Sequence, residues 1–260
     1  MVYILNVMGE QMFTTQSLFD GHMPSGVRIG IGSSGTSDKI YESTKEFGDS
    51  VTVYTDPGRM IDDLYEGRID AAIRGDISSS ELLPIIKRRF GIDELERIVF
   101  LEPIGRKLII TAPVGIDEGW TIQQKHDLVT RSVRLMEHIG MGTRIAIMSG
   151  GRKDDIGRCK AVDDTIRDAL ELVDILVKEG YDAYHSEILL ENAVDEADLI
   201  IAPDGISGNL LFRSMHFIGG ALALGAPVIN IDKVYIDTSR AKKDYRDSIM
   251  LAMRLTEGKR

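Results

Sequence analysis

The sequence predicts an α/β fold, in which short buried strands alternate with longer amphipathic helices. Apolar runs of four or five residues recur along the chain, and stretches with helical periodicity follow most of them. This alternation is typical of sheets that are largely parallel. The chain has 260 residues, of which 43% are hydrophobic. It can therefore bury a sizeable core in one large or two modest domains.

The individual elements follow from the same apolar patterns and from turn-forming residues between them. The predicted strands cover residues 27–31, 51–54, 71–73, 98–101, 108–112, 144–148, 183–184, 199–202 and 228–231. The predicted helices cover residues 38–47, 60–66, 79–90, 122–139, 163–179, 187–196, 209–224 and 239–256. Thr121 and Gly140 are plausible start and stop signals for the helix at 122–139. The glycine-containing stretch after that helix is the predicted domain boundary.

Composition and charge exclude several classes of function. The net charge of −10 disfavours sequence-independent nucleic-acid binding, because such binding needs a basic surface. No apolar run approaches twenty residues, which predicts no membrane span, and the start lacks the features of a secretory signal. Cys159 is the single cysteine, so a cytoplasmic protein is expected, with this thiol as a small buried side chain. The five histidines are scattered, so we predict no metal site.

The segment from residue 198 to 240 is the strongest candidate for a functional site. An apolar run ends at Asp204, the polar turn Ser207-Gly208-Asn209 opens a helical stretch, and Ser239-Arg240 follows a second apolar run. Open α/β sheets bind ligands at the carboxyl ends of their strands. A guanidinium and the start of a helix both favour negative charge, so we predict a small anionic substrate. The alternative is that Ser207 and Asn209 only cap the helix.

A second candidate is the glycine pattern Gly30-Ile-Gly32-Ser-Ser-Gly35, which follows one apolar run and precedes a helix. Asp56 ends the next apolar run. This order is that of a dinucleotide-binding unit, although the motif is short and often arises by chance. The competing interpretation is a turn that needs glycine for packing. A phosphate or adenine-nucleotide moiety of another ligand could also use the loop.

Two further loops carry candidate binding residues. Arg74 stands just beyond a predicted strand and is a candidate second cation for the anion, or else the partner of Asp76 or another acid in an exposed salt bridge. A glycine-containing turn with charged neighbours includes Ser149, Gly150 and Arg152. One interpretation is a mobile loop at the edge of the site that contacts a nucleotide or a pantetheine group. The other is a solvated charged loop.

A family resemblance adds to these observations. The run from Asp204 to Asn209, then Gly225-Ala-Pro-Val228, then Asp237-Thr-Ser-Arg240 resembles the carboxyl-terminal signature of the phosphate acetyl/butyryltransferase family in order and spacing. The similarity extends over about residues 140–255 and is weak before them. Within that superfamily the chain most resembles the methanogen branch called methanogenesis marker protein 4, once labelled a methyltransferase component.

The resemblance implies acyl transfer between phosphate and the thiol of coenzyme A, without a covalent enzyme intermediate. Ser239 would donate to the reacting oxygen and Arg240 would hold phosphate. The family's base falls seven residues after the serine, where this chain has Arg246, so Asp247 and Asp244 are the candidates. One position along a helix rotates a side chain by about 100°, so an acid at 247 points in a different direction from an acid at 246. Asp204, Ser207 and Asn209 would shape the phosphate side.

The resemblance also implies the architecture. We expect two three-layer α/β/α domains around an interdomain cleft, with residues 1–139 and 226–260 in the first and 140–225 in the second. The loop at Ser149 would face Arg240. A homodimer through the second domain is expected, with coenzyme A as a substrate and no tightly bound cofactor. Methyl transfer, or phosphate and coenzyme binding without catalysis, are the alternative functions, because a shared fold does not fix chemistry.

Overall fold

The computed structural model describes residues 12–20, 24–35 and 38–257. These residues form two compact units. The first unit joins the described residues up to Ser17 with Glu96–Ala223, and the second joins Leu18–Leu95 with the chain from Leu224 onward. Each unit contains one sheet covered by helices, so the α/β class with largely parallel sheets is confirmed.

The described residues contain ten strands and nine α-helices. The strands are β1 Ile29–Gly32, β2 Val51–Tyr54, β3 Ala71–Ile73, β4 Val99–Glu102, β5 Ile109–Ala112, β6 Ile145–Met148, β7 Ala183–Glu187, β8 Leu199–Ile201, β9 Leu222–Pro227 and β10 Val234–Asp237. The helices are α1 Thr15–Phe19, α2 Lys39–Thr44, α3 Pro57–Tyr65, α4 Ser79–Phe90, α5 Ile122–Ile139, α6 Lys160–Lys178, α7 Leu190–Glu196, α8 Gly205–Arg213 and α9 Arg246–Leu255. A 3₁₀ segment, Lys45–Ser50, follows α2, and a π-helical turn, Ser214–Ile218, follows α8.

The second unit is a three-layer structure built on the strand order β2-β1-β3-β10-β9. All neighbours are parallel except β10 and β9. Ala72 and Tyr235 are fully buried in one core cluster with side chains of α3 and α4, including Met60 and Leu82. Successive strand residues point to opposite faces of a sheet. The residues next to Ala72 and Tyr235 therefore face the other side of the sheet, where α9 packs and Ile249 is buried.

The first unit has the strand order β4-β5-β8-β6-β7. β4 and β5 are antiparallel, and the remaining pairs are parallel. α5 and α6 pack on each other and against β8, β6 and β7, while α7 and α8 contact β6 and β5 respectively. α5 begins at Thr121, whose hydroxyl accepts from the Gln124 amide at 3.1 Å, and ends at Gly140 in the left-handed conformation. Both predicted end signals of this helix are confirmed.

The predicted elements agree with the structure except near the carboxyl end. Residues 228–231, predicted as a strand, lie between β9 and β10 and form no strand. The predicted helix at 209–224 ends earlier, because Gly220 adopts positive φ and the apolar residues after it pair as β9. The predicted helix at 239–256 starts only at Arg246, so Ser239 and Arg240 lie in a loop instead.

The predicted domain limits differ from the units in the structure. Residues 96–139 belong to the same unit as 140–223, so the break lies near Leu95 and not at 140. The physical reason is β-pairing: β5 pairs with β8, which ties the segment before α5 to the strands that follow it. The carboxyl-terminal segment joins the amino-terminal unit from Leu224, close to the expected residue 226.

In the stretches 12–20, 24–35 and 38–257, no helix is both long enough and apolar enough to cross a lipid bilayer.

Candidate functional site

A polar cavity of about 530 Å³ lies within the second unit, where β1, β2, β3 and β10 end. These four strands are parallel neighbours, so the loops after them meet at one edge of the sheet. The cavity is lined by Ser33, Ser34, Lys39, Thr55, Pro57, Asp76, Ile77, Ser78, Glu81 and Arg240. Its position is the one at which open α/β sheets bind their ligands.

The loop that carries Ser239 and Arg240 is held from several sides. The Thr238 hydroxyl donates to the Gly75 carbonyl at 2.9 Å, and the Tyr245 hydroxyl donates to the Ser239 carbonyl at 3.3 Å. The Lys39 ammonium donates to the carbonyls of Arg240 and Lys242 at 3.0 and 3.3 Å. Tyr245 is buried, and burial together with nearby Asp76 raises its pKa to about 12, so its hydroxyl stays a donor. The loop backbone is therefore fixed although Arg240 itself is exposed.

The Arg240 side chain is available to a ligand. Among the residues that the structure describes, none makes a hydrogen bond or ion pair with its guanidinium, which lines the cavity. Lys39 uses two of its three ammonium donors on the loop carbonyls, which leaves one for a ligand. A planar fork and a nearby ammonium are well suited to phosphoryl or carboxylate oxygens. The arrangement therefore favours an anionic ligand.

The neighbouring Ser239 is not among the residues that line the cavity, but its hydroxyl is able to donate a hydrogen bond. Its oxygen accepts a hydrogen bond from the Ala241 amide at 3.2 Å, so the hydroxyl proton remains free to donate elsewhere. Ser239 is partly buried, whereas Arg240 is exposed. The pair thus combines a positioned hydroxyl with a more adaptable cation.

The glycine pattern at Gly30–Gly35 serves packing. Cβ atoms at Gly32 and Gly75 would overlap the Arg74 and Gly32 carbonyl oxygens respectively, because the chain segments after β1 and β3 approach closely. The amides of Ser33, Ser34 and Gly35 donate to the Tyr54 carbonyl, the Asp76 carboxylate and the Ser33 hydroxyl. These three amides are thus already engaged within the protein. The dinucleotide-binding interpretation loses its main support, since it needs such amides for a pyrophosphate.

The acid expected to accompany the glycine pattern also has a structural role. Asp56 precedes α3, and its carboxylate accepts from the Arg59 amide at 3.1 Å. It is therefore an N-cap for α3. Ser33 and Ser34 still line the cavity.

Arg74, the predicted second cation, is not among the residues that line the cavity. It is buried, forms an ion pair with Asp237 and donates to the Ile77 carbonyl at 3.2 Å. This pair links the ends of β3 and β10, on which the cavity loops stand. Arg74 thus pairs with another acid, as the salt-bridge alternative expected, but the pair is buried and not exposed. Lys39 joins Arg240 as the second cation of the cavity lining.

The two candidate bases have different surroundings. Asp244 accepts from the backbone amide of Arg246 at 2.9 Å and from its Nε at 2.7 Å, and these bonds, led by the side-chain one, lower the pKa of Asp244 to about 2. Such a carboxylate is a weak base. Asp247 lies in the first turn of α9 and is partly buried. Burial lowers the pKa of nearby Lys242, and the charges of Asp247 and Asp244 oppose this effect.

The predicted phosphate-side residues of the first unit have structural partners. The Asp204 carboxylate accepts from the Ser207 amide at 2.8 Å, so Asp204, and not Ser207 or Asn209, caps α8. Asn209 Nδ2 donates to the Val114 carbonyl at 2.8 Å. A Cβ at Gly208 would overlap the Pro113 carbonyl oxygen. The Asn209 hydrogen bond and the close approach at Gly208 fix α8 against the chain segment after β5.

The Ser149 loop is likewise tied to its own unit. The buried Ser149 hydroxyl donates to the Gly151 carbonyl at 2.8 Å and contacts His185 Nε2 at 2.8 Å. The Gly150 amide donates to Thr165 Oγ1 at 2.9 Å. Arg152 is exposed, as is Cys159, whose predicted burial is wrong because it stands at the exposed start of α6. The predicted cleft, in which Ser149 would face Arg240, stays a prediction.

Sequence reasoning missed most of the cavity lining. Lys39, Thr55 and Glu81 belong to no motif, whereas Ser33 and Ser34 lie inside the glycine pattern and Asp76 stands three residues beyond a predicted strand. Polar residues after strands β1 and β2 were the available signal. Within the described ranges, no group of three or more His, Cys, Asp or Glu side chains is arranged to hold a metal ion.

Comparison with known sequences identifies methanogen relatives. A protein of Methanosarcina mazei named "Putative methyltransferase mtx subunit X" is 40% identical over 202 residues, which cover 77% of this chain and 72% of the relative. A Methanopyrus kandleri protein named an uncharacterised methyltransferase is 34% identical over 261 residues, with 89% of this chain and all of the relative covered. No protein-family model matches the chain.

Comparison with solved structures identifies the fold. The EutD phosphotransacetylase of Staphylococcus aureus superposes with a TM-score of 0.67 at 14% identity, covering 93% of this chain and 97% of that one. A branched-chain phosphotransacylase of Enterococcus faecalis gives 0.68 at 14% identity, with 88% and 99% covered. Isocitrate dehydrogenase of Methylococcus capsulatus gives 0.55 at 11% identity, with 88% and 85% covered. The fold therefore occurs in transferases and in oxidoreductases.

Proposed function

The chain belongs to the family of the Methanosarcina proteins named "putative methyltransferase mtx subunit X", and we propose that it is a transferase that binds a phosphoryl group beside Arg240 and exchanges an acyl group between phosphate and the thiol of coenzyme A. The observation that carries this proposal is the unengaged Arg240 guanidinium in a cavity at the strand ends. The shared fold of the phosphotransacetylases supports it without deciding the chemistry.

The proposed reaction uses residues of the loop after β10 and of α9. The guanidinium of Arg240 holds the phosphoryl oxygens of an acyl phosphate, and the Ser239 hydroxyl donates to the oxygen that gains charge. The coenzyme thiol loses its proton to a carboxylate, its sulfur bonds to the acyl carbon, and the carbon–oxygen bond to phosphate breaks. Two effects raise the rate. The protein orients the two substrates, and its hydrogen-bond donors are already in position before charge develops.

We assign the base to Asp247 and not to Asp244. The Asp244 carboxylate is bound to Arg246, with a pKa of about 2, and it takes up a proton poorly at neutral pH. Asp247 lies in the first turn of α9 and is partly buried. Partial burial removes water from a base, which favours proton transfer from a positioned thiol.

The test is an assay of thioester formation from acetyl or butyryl phosphate and coenzyme A with the full chain. Arg240→Ala should reduce turnover by about 10²–10³-fold, the usual cost of removing a donor at developing charge. Lys243→Ala is the matched control, because Lys243 is an exposed cation of the same loop that does not line the cavity. An Arg240→Ala rate equal to that of the control contradicts the proposal.

A second candidate function is phosphate or coenzyme binding without catalysis. One observation favours it: Arg246 stands where the resemblance calls for an acid, and it engages Asp244. Such a protein would bind phosphate by calorimetry and form no thioester. Methyl transfer is supported only by the names of the relatives. Saturable methyl transfer from S-adenosylmethionine, with no acyl transfer, would favour that function over ours.

A further inference from the structure

Lys39 brings a nucleophile as well as a cation to the cavity beside Arg240. It is half-buried, and it is the one lysine among the described residues that line the cavity. The other lining groups are hydroxyls, carboxylates, two apolar side chains and the guanidinium of Arg240. A guanidinium keeps its proton, and a hydroxyl is a weak nucleophile without a base, whereas a lysine amine attacks a carbonyl carbon once it has lost a proton. An acyl donor in this cavity therefore meets one effective nitrogen nucleophile.

The contacts of Lys39 leave one position on its nitrogen open. Nζ donates to the carbonyls of Arg240 and Lys242, at 3.0 and 3.3 Å. Among the residues that the structure describes, no other hydrogen bond or ion pair involves this nitrogen. An ammonium has three N–H donors, and loss of one proton leaves two, which the two loop carbonyls can accept. The lone pair then takes the position that remains for a ligand.

The acyl carbon of a bound acyl phosphate would lie close to this lone pair. The proposed phosphate site consists of the Arg240 guanidinium and Lys39 Nζ, which both line the cavity. In an acyl phosphate, a single bridging oxygen separates the phosphorus atom from the acyl carbon. A phosphoryl group held at Nζ therefore keeps the acyl carbon beside the amine, and such proximity replaces a slow bimolecular reaction with a faster one inside the complex.

We propose that Lys39 is a self-acylation site, which the acyl phosphate substrate modifies when coenzyme A is absent. The Nζ lone pair bonds to the acyl carbon, the carbon–oxygen bond to phosphate breaks, and phosphate leaves with the electron pair of that bond. The nitrogen then gives a proton to water, and the product is an uncharged lysine amide. The inference rests on the proposed function, because it needs an acyl phosphate bound at Arg240.

Acylation weakens the site in two ways. The amide carries no charge, so the phosphoryl group loses one of its two cations. The amide nitrogen keeps one N–H, so it cannot donate to the carbonyls of both Arg240 and Lys242, as the amine does. The modification therefore lowers phosphate affinity and turnover. The protein is thus inhibited by its own substrate when the thiol is scarce.

Mass spectrometry of the full chain, incubated with acetyl or butyryl phosphate and then digested, tests the inference. The acylated fraction at Lys39 should exceed that at Lys243 at least about tenfold, because binding holds the acyl carbon beside the amine. Lys243 is the matched control, since it is an exposed lysine of the Arg240 loop that does not line the cavity. Excess inorganic phosphate should protect Lys39 and leave Lys243 unchanged. Equal acylation of the two lysines, or no protection by phosphate, overturns the inference.

A variant separates this inference from the proposed function. Lys39→Arg keeps a cation but has no amine to acylate. Preincubation with acyl phosphate should lower the thioester-forming rate of wild type in proportion to the acylated fraction, with no time-dependent loss in Lys39→Arg. Wild type that forms thioester but has no acyl group on Lys39 after preincubation contradicts the inference alone. Wild type that forms no thioester contradicts the proposed function, and the mass measurement still decides whether Lys39 is acylated.

Discussion

At the residue scale, neighbouring charges decide whether Asp247 or Asp244 acts as the base. Both follow the Ser239-Arg240 pair, and both are close to Lys242. Only Asp244 is engaged by the Arg246 side chain. A base must be free to accept a proton. The ion pair with Arg246 therefore makes Asp244 unsuitable, and Asp247 remains as the candidate base.

Replacement of each acid by its amide tests this choice. We expect Asp247→Asn to lower acyl-transfer turnover by about 10²–10⁴-fold, the usual contribution of a general base. Asp244→Asn should leave turnover within a few-fold of wild type. The measurement is steady-state thioester formation for both variants. A larger loss in Asp244→Asn than in Asp247→Asn would assign the base to Asp244 instead.

The depressed pKa of Asp244 predicts a pH dependence of stability. The side chain of Arg246 lowers this pKa to about 2, below its ordinary value of 3.8. The folded state therefore binds this proton less readily than the unfolded state, and the carboxylate stabilises the fold above about pH 4. That contribution is lost as the pH falls toward 2. It is small, because the carboxylate is partly exposed and solvent screens it.

Urea unfolding across that pH range measures the effect. The difference in unfolding free energy between wild type and Asp244→Asn should shrink as the pH falls from 5 to about 2. A difference that grows with acidity would show that the carboxylate is not the stabilised form.

At the element scale, the cavity depends on the close approach of the segments after β1 and β3. Gly75 has φ of 63°, and a Cβ on it would overlap the Gly32 carbonyl oxygen, which is backbone and cannot move aside cheaply. The Thr238 hydroxyl bonds to the Gly75 carbonyl at 2.9 Å, so displacement of Gly75 also disturbs the loop of Arg240. Glycine at 75 therefore links backbone geometry to the site.

Gly75→Ala should destabilise the protein by more than about 3 kcal/mol, the sum of the left-handed backbone cost and steric overlap. Gly91→Ala is the matched control, because Gly91 has φ of 67° at the end of α4 and no atom within 4 Å of a built Cβ. It should cost only about 1–2 kcal/mol. Unfolding in urea gives both values. Similar losses in the two variants would show that the close approach is unimportant.

Most elements were predictable from the sequence because their signals are local. β2, β3, α4 and α5 have the predicted bounds, since strand runs and helix caps depend on neighbouring residues alone. The end of the chain was harder to predict. Apolar residues occur on both sides of Gly219-Gly220, so the formation of β9 beyond Gly220 depends on its pairing with β10, which is a tertiary interaction.

The site could be predicted only in part, because some of its residues come together only in the folded unit. Arg240 lines a cavity at strand ends, as position in the sequence suggested. Lys39 lies about two hundred residues away in sequence and reaches the Arg240 carbonyl only in the folded unit. Arg74 was misplaced because its burial beside Asp237 depends on the parallel pairing of β3 and β10, which no local pattern reveals.

At the scale of the whole molecule, the exposed apolar surface bears on assembly. Ile206, Leu210, Phe217 and Ile218 are exposed on α8 and the turn that follows it. Several large apolar side chains exposed on one helix and the turn after it are typical of an interface between proteins. Together with the family resemblance, it supports our proposal that the protein is a homodimer with this surface buried between two copies.

Light scattering of the purified protein tests the dimer. We expect about twice the chain mass of 28.8 kDa, and Leu210→Asp should shift the mass toward that of a single chain by placing a charge in the interface. Leu170→Asp is the control, because Leu170 is also exposed but lies on α6. Wild-type protein with the mass of one chain would contradict the proposal.

The central claim is that Arg240 and Lys39 hold a phosphoryl group in the cavity at the ends of β1, β2, β3 and β10. A crystal structure of the full chain with inorganic phosphate tests it most directly. We predict phosphate density within hydrogen-bond distance of the Arg240 guanidinium and of Lys39 Nζ. Phosphate bound elsewhere on the protein, with this cavity containing only solvent, would contradict the account.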